Sequence, residues 1–65
     1  MKFKIEIDLE NDAFQGGYET ENEEISRILE EISYYVKRNT YTVNVPHFER
    51  DLNGNKVGFS IFTNK

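Results

Sequence analysis

TENEEISRILEEISYYVKR, residues 20–38, is the stretch that decides the fold. Within it Ile25, Ile28, Leu29, Ile32, Tyr35 and Val36 recur at i, i+3, i+4 and i+7 spacing, which gathers them into one apolar stripe on a helix. Thr20 and Glu23 fit a capping box, in which each side chain satisfies a backbone N–H at the helix start. Asn22 is a rival N-cap. Glu21, Glu23 and Glu24 sit where the helix dipole favours negative charge, and Lys37 and Arg38 where it favours positive charge. Asn39 tolerates the left-handed backbone that ends a helix. The spacing therefore predicts a helix over 21–38, and the rest of the chain reads as the sheet that covers its stripe.

Upstream, Phe3, Ile5, Ile7 and Leu9 alternate with Lys2, Lys4, Glu6 and Asp8, which predicts a strand over 2–9 with its apolar face on the helix. The charged face implies a sheet with one wet side, the antiparallel habit. Asn11, Asp12 and the Gly16-Gly17 pair make 10–19 a loop, with Phe14 as a plug between the strand end and the helix. Downstream, Tyr41, Val43 and Val45 alternate with Thr40, Thr42 and Asn44, so about 41–52 reads as extended. Pro46 interrupts it, having no N–H for a ladder. Asn53-Gly54 predicts a two-residue type I′ hairpin, with the returning strand over 56–63. Val57, Phe59 and Ile61 are expected to meet the helix, and Gly58, Ser60 and Phe62 to lie opposite. The last strand is the most apolar and belongs in the middle. The expected architecture is α+β, a two-layer β-α-β-β domain over 1–65 with one helix on a three-stranded antiparallel sheet of order 1-3-2.

Sixty-five residues are near the lower limit for unaided folding, and without cysteine there is neither a disulfide nor a thiolate metal site to staple them. A 37% hydrophobic content is enough for a packed core. No run reaches the ~20 apolar residues of a membrane span. The charged alternation after Met1 is no signal peptide, so a cytoplasmic protein is the expectation. The net charge of −4 disfavours direct nucleic-acid binding and anionic membranes. Two acidic zones, Glu6 to Asp12 and Glu19 to Glu31, fit either a solvated surface or one that docks on a basic groove.

Catalytic and metal motifs fail one by one. Asp51-Leu52-Asn53-Gly54-Asn55 starts like an EF-hand loop, but Lys56 stands where its glycine belongs and Phe62 where its last glutamate belongs. A hairpin explains the same residues, with Asp51 and Asn55 bonding the turn's own backbone. His47, Glu49 and Asp51 share one side of a strand, which leaves a small metal or ligand site as an alternative reading, although an exposed histidine explains the pattern more simply. Gly16-Gly17 and Gly54 to Gly58 lack the context of a phosphate-binding loop. No nucleophile constellation is visible, so no catalytic residue, metal or cofactor is assigned and the chain is read as non-enzymatic.

Aromatic residues are abundant for a chain this small, at 14%. Tyr34, Tyr41, His47 and Phe48 are the expected partner-binding residues, because aromatic rings anchor interfaces. Gly58, Ser60 and Phe62, small residues beside a ring, are the expected homodimer interface on the uncovered sheet face.

Three segments together are familiar: Lys2-Phe3-Lys4-Ile5-Glu6-Ile7-Asp8 followed by Asn11-Asp12-Ala13-Phe14; Glu24-Ile25-Ser26-Arg27-Ile28-Leu29 with Ile32; and Asp51-Leu52-Asn53-Gly54-Asn55-Lys56-Val57-Gly58. Their order resembles a widespread group of very small proteins encoded by phages, prophages and plasmids. The resemblance covers the first strand, the helix core and the hairpin. It breaks at a longer insert from Tyr34 to Arg50, the expected place for reading a specific partner. By analogy of size and context, it implies a stoichiometric inhibitor of a host anti-phage defence protein, of the anti-CRISPR kind or another anti-defence kind. A structural or regulatory interaction module without a defence target is the other reading.

Overall fold

The chain folds in the order β1 (Lys2–Ile7), α1 (Tyr18–Lys37), β2 (His47–Arg50) and β3 (Lys56–Thr63). The computed structural model describes residues 1–10, 14 and 18–65. The sheet has the order β1-β3-β2 with both pairings antiparallel, so the architecture is α+β as the alternation predicts. The turn expected from Asn11, Asp12 and Gly16-Gly17 lies outside the described residues.

The helix begins at Tyr18, earlier than the capping box predicts. Thr20 and Asn22 therefore stand inside the helix and are not its caps. Its end matches expectation: Asn39 adopts φ 57°, its N–H donates to Val36 O at 3.1 Å, and Thr40 N–H donates to Tyr35 O at 3.3 Å. Those two bonds form a Schellman closure, which satisfies carbonyls the helix would leave bare. The Thr40 hydroxyl adds a second donor to Tyr35 O at 3.0 Å.

The core is Phe14, Ile28, Ile32 and Val57, with Ile7, Leu9 and Ile25 packed against it. Phe14 is the plug its position predicts. Leu29 and Val36, expected in the stripe, are exposed, as are Phe3 and Ile5. The cause is a roll of the helix. Glu24 Oε2 accepts the Leu52 N–H at 2.9 Å and Arg27 Nη2 donates to Arg50 O at 2.9 Å, tying one flank of α1 to the β2–β3 hairpin. At 100° per residue, Leu29 and Val36 fall on the opposite flank, toward β1.

A bulge reassigns the faces of β3. Glu49 pairs with Gly58 and Arg50 with Lys56, so β3 carries one extra residue, Val57. An extra residue reverses the in–out alternation beyond it. Val57 and Ser60, three apart, are thereby both buried. The register sets Gly58, Ser60 and Phe62 opposite Ile7, Ile5 and Phe3 on one side and, for the first two, opposite Glu49 and His47 on the other. His47 stacks on Tyr35 of the helix, with ring centroids 4.7 Å apart. This is the helix side. The expected assignment is thus corrected: Gly58, Ser60 and Phe62 face α1, and Phe59 and Ile61 face away. Gly58 has its own steric reason, since a Cβ there would fall on the Glu6 carbonyl oxygen and 2.9 Å from Ile7 Cα.

The hairpin also differs from the two-residue loop. Only Gly54 has positive φ, at 83°, and Asn53 does not. Gly54 N–H donates to Asp51 O at 3.0 Å and Asp51 N–H to Asn55 O at 2.9 Å, which closes a three-residue loop ending in a left-handed glycine. Asp51 is buried under it, its Oδ1 accepting from Asn53 N–H at 2.9 Å and Asn55 N–H at 2.8 Å. Carboxylate geometry chose the longer loop.

Residues 41–46 are not a strand. Thr42 to Val45 make a turn in which Val45 N–H donates to Thr42 O at 3.0 Å and Asn44 takes φ 68°. Asn44 N–H then caps the end of β3 by donating to Phe62 O at 2.7 Å. Val43 and Val45 alternate without a face to bury them, and both are exposed.

Candidate functional site

Across the helix side of the sheet runs a row of rings. Phe3 lies 4.6 Å from Phe62, Phe62 5.4 Å from Tyr41, Tyr41 5.1 Å from His47, His47 4.7 Å from Tyr35, and Tyr35 5.4 Å from Tyr34. Two of these contacts, Phe62–Tyr41 and Tyr35–Tyr34, are edge-on, an arrangement that the ring quadrupole favours. Each element delivers its rings for a local reason. β1 and β3 pair Phe3 with Phe62 directly. The helix end places Tyr34 and Tyr35 in its last turn. The Asn44 turn returns the chain so that Tyr41 lies over Ser60.

Beneath the row is a buried polar network. Ser60 Oγ donates to Glu49 Oε2 at 2.6 Å, both residues being almost fully buried. Because Ser60 has spent its one proton there, the Tyr41 hydroxyl is the donor in its short hydrogen bond with Ser60. His47 Nδ1 lies 3.1 Å from the same Glu49 oxygen. A carboxylate only accepts, so Nδ1 carries the proton and Nε2 is the ring's acceptor atom when the ring is neutral. Burial pushes the Tyr41 phenol above its ordinary value of 10.0, opposed in part by the Ser60 hydrogen bond. Each buried polar atom among the described side chains has a partner. The rings above are thus held by a satisfied network, which fixes their positions.

Beside the row, between Arg27, Glu31 and Tyr35 of α1 and residues 47–51, lies a surface cleft of about 350 Å³. Its charges are mutually engaged. Arg27 Nε donates to Glu24 Oε1 at 2.6 Å, its Nη2 to Glu24 Oε2 at 3.2 Å, and its Nη1 to Glu31 Oε1 at 2.9 Å. Arg50 Nη1 donates to Gly54 O at 3.1 Å. The Arg27 hydrogen bond holds the Glu24 carboxyl below its ordinary 4.5, against the opposing pull of burial. Glu24 in turn raises Arg27.

Of the four residues expected to meet a partner, the fold joins Tyr41 and His47 directly and Tyr34 through Tyr35. Phe48 does not join them. It alternates with His47 and Glu49, so it projects from the far face, opposite Phe59, with the Lys56 ammonium 3.9 Å from its ring centroid. Tyr34 is more than half exposed and carries the Arg38 guanidinium 5.2 Å from its ring centroid.

The expected homodimer residues are placed differently from expectation. Ser60 is fully buried within the chain, and Phe62 is enclosed between Phe3 and Tyr41. Of His47, Glu49 and Asp51, the first two meet at 3.1 Å, but Asp51 turns to its own loop, so the three do not converge on one point. Among the described residues no group of three or more histidine or carboxylate side chains could hold a metal.

Sequence reasoning missed Glu24 and Glu49 as buried polar residues, and Arg27 as the half-buried partner of Glu24. Glu24 reads as a dipole-favoured surface acid, and only the hairpin packed on it reveals the Leu52 bond. A signal for Glu49 exists in retrospect: it is flanked by alternating His47 and Asp51 and must enter the core wherever they do.

No described helix is long and apolar enough to cross a membrane. In comparisons with known proteins, the chain matches no family model, no curated protein and no solved structure.

Proposed function

We propose that the chain is a non-enzymatic binding protein that inhibits a bacterial anti-phage defence protein, as its resemblance to small phage-encoded proteins implies. The observation that supports the binding part is the ring row from Tyr34 through Tyr35 and His47 to Tyr41, fixed from below by Ser60 and Glu49. Aromatic anchors that are already ordered lose little entropy on docking, which is how a few residues carry most of an interface's affinity. Exposed Tyr34 and half-buried His47 would seat in the partner, and the cleft between Arg27 and Glu49 would receive one of its side chains. Inhibition is the step the resemblance adds.

The test is phage plating on bacteria that carry single defence systems, restriction and CRISPR types included, with and without the protein. Restored plating against one system, lost again in a Tyr34→Ala/His47→Ala variant of unchanged melting temperature, supports the proposal. Unchanged plating against every system removes it. A pull-down that returns only a replication or transcription protein would favour the interaction module without a defence target.

A further inference from the structure

We infer that β1 is a dimerisation strand, and that two copies of this chain join their β1 edges antiparallel about a two-fold axis at Ile5 to form one six-stranded sheet. This holds whatever partner the ring row binds.

Three observations carry it. First, β1 is a sheet edge, and Met1 through Glu6 are all exposed. Asp8 N–H donates to Val57 O at 2.7 Å. Antiparallel alternation from that bond sends the polar groups of Asp8, Glu6, Lys4 and Lys2 to β3 and those of Phe3, Ile5 and Ile7 to the open edge. Such an edge templates another strand unless it is blocked.

Second, the charges specify one register. The wet face of β1, continued by Asp8 just past its end, reads Lys2, Lys4, Glu6, Asp8, two positives and then two negatives. The open-edge residues are all odd-numbered, so a symmetric partner must pair odd with odd. Centring on Ile5 sets Lys4 against Glu6 and Lys2 against Asp8, twice over by symmetry. These would be non-hydrogen-bonded pairs, whose side chains approach most closely. Moving the axis to residue 4 sets Lys4 on Lys4, and moving it to residue 6 sets Glu6 on Glu6. Both neighbouring registers place like charges face to face, which destabilises a sheet.

Third, a share of the uncovered apolar surface lies on this flank. Phe3 is 37% exposed, Ile5 41%, Leu29 43% and Val36 38%. Edge pairing sets two Phe3–Ile5 rows side by side and turns the two Leu29–Val36 flanks toward each other. A core as small as Phe14, Ile28, Ile32 and Val57 has the most to gain from such burial.

Sedimentation equilibrium in low salt should give twice the 7.7 kDa chain mass. Lys4→Glu alone, or Glu6→Lys alone, should weaken the dimer by about tenfold or more, since each replaces two attractive pairs with two repulsive ones. The double swap Lys4→Glu/Glu6→Lys should restore it. A wild-type monomer at millimolar concentration, single reversals without effect, or a double swap that fails to restore association would overturn the inference. Hydrogen exchange on the wild type decides the matter without any variant. The Phe3, Ile5 and Ile7 amides should gain protection as concentration rises, and fast exchange at those three sites in a dimer would mean the copies meet elsewhere.

Discussion

At the scale of single residues, the chain depends on polar groups that its charge pattern disguises. Ser60 shows this best, because buried Glu49 and half-buried Tyr41 both lean on its one hydroxyl. Ser60→Ala leaves the Tyr41 hydroxyl and a Glu49 oxygen short of a bond and should lower unfolding free energy by about 1–3 kcal/mol in urea titration. Glu24 has a pH signature. Its folded carboxyl titrates below the ordinary 4.5 because Arg27 and the Leu52 N–H bond the charged form. The stability it contributes is therefore full above the unfolded value and is lost as pH falls through the lower folded one. Glu24→Gln should flatten the acid limb of stability against pH, measured by thermal melts from neutral to strongly acidic buffer. An acid limb as steep as wild type would mean that other carboxylates set it.

At the scale of elements, the rolled helix makes a sharp contrast between neighbours in sequence. Ile28 is fully buried and Leu29 is exposed, though both belong to the same apolar repeat. Ile28→Ala should cost about 2–5 kcal/mol. Leu29→Ala should change the monomer by under about 0.5 kcal/mol. Chemical denaturation of both, at a dilution where no dimer forms, checks the roll directly. The β1–β3 ladder makes a second demand at Gly58, where a Cβ meets the Glu6 carbonyl. Gly58→Ala should cost at least about 3 kcal/mol, the upper range of overpacking, because the strand backbones must part. A near-native melt for that variant would show that the strands can shift without loss.

At the scale of the molecule, the two surfaces lie on opposite flanks of the helix. The ring row starts at Phe3 of β1, but its Tyr41–His47–Tyr35–Tyr34 end and the cleft lie toward β2, where Glu24 and Arg27 draw the helix onto the hairpin. The uncovered apolar flank lies toward β1, as a consequence of the same roll. Substitution on one side should leave the other unaffected. Lys4→Glu should weaken self-association while preserving the Tyr41 environment, read as an unchanged alkaline phenol titration above 10.0. Loss of that titration shift would show that the two sides are coupled.

The helix, the strand order and the Asn39 stop were legible in the sequence, because each rests on local rules: a helical stripe, an alternating strand, a residue that tolerates positive φ. The Phe14 plug was legible too, as an apolar residue stranded in a polar loop. The hydrogen bonds that tie Glu24 and Arg27 to residues 50–52 were not legible, because they join positions more than twenty residues apart. The face of β3 was not legible, because the extra residue at Val57 reverses the alternation and no residue type announces it. Nor was the turn at 42–45, where a β-like run is bent by one Asn44 backbone bond to Phe62. Local propensity sets which elements form. How a strand slips by one residue, and which flank a helix presents, depends on contacts between parts of the chain far apart in sequence, and those exist only once the whole is folded.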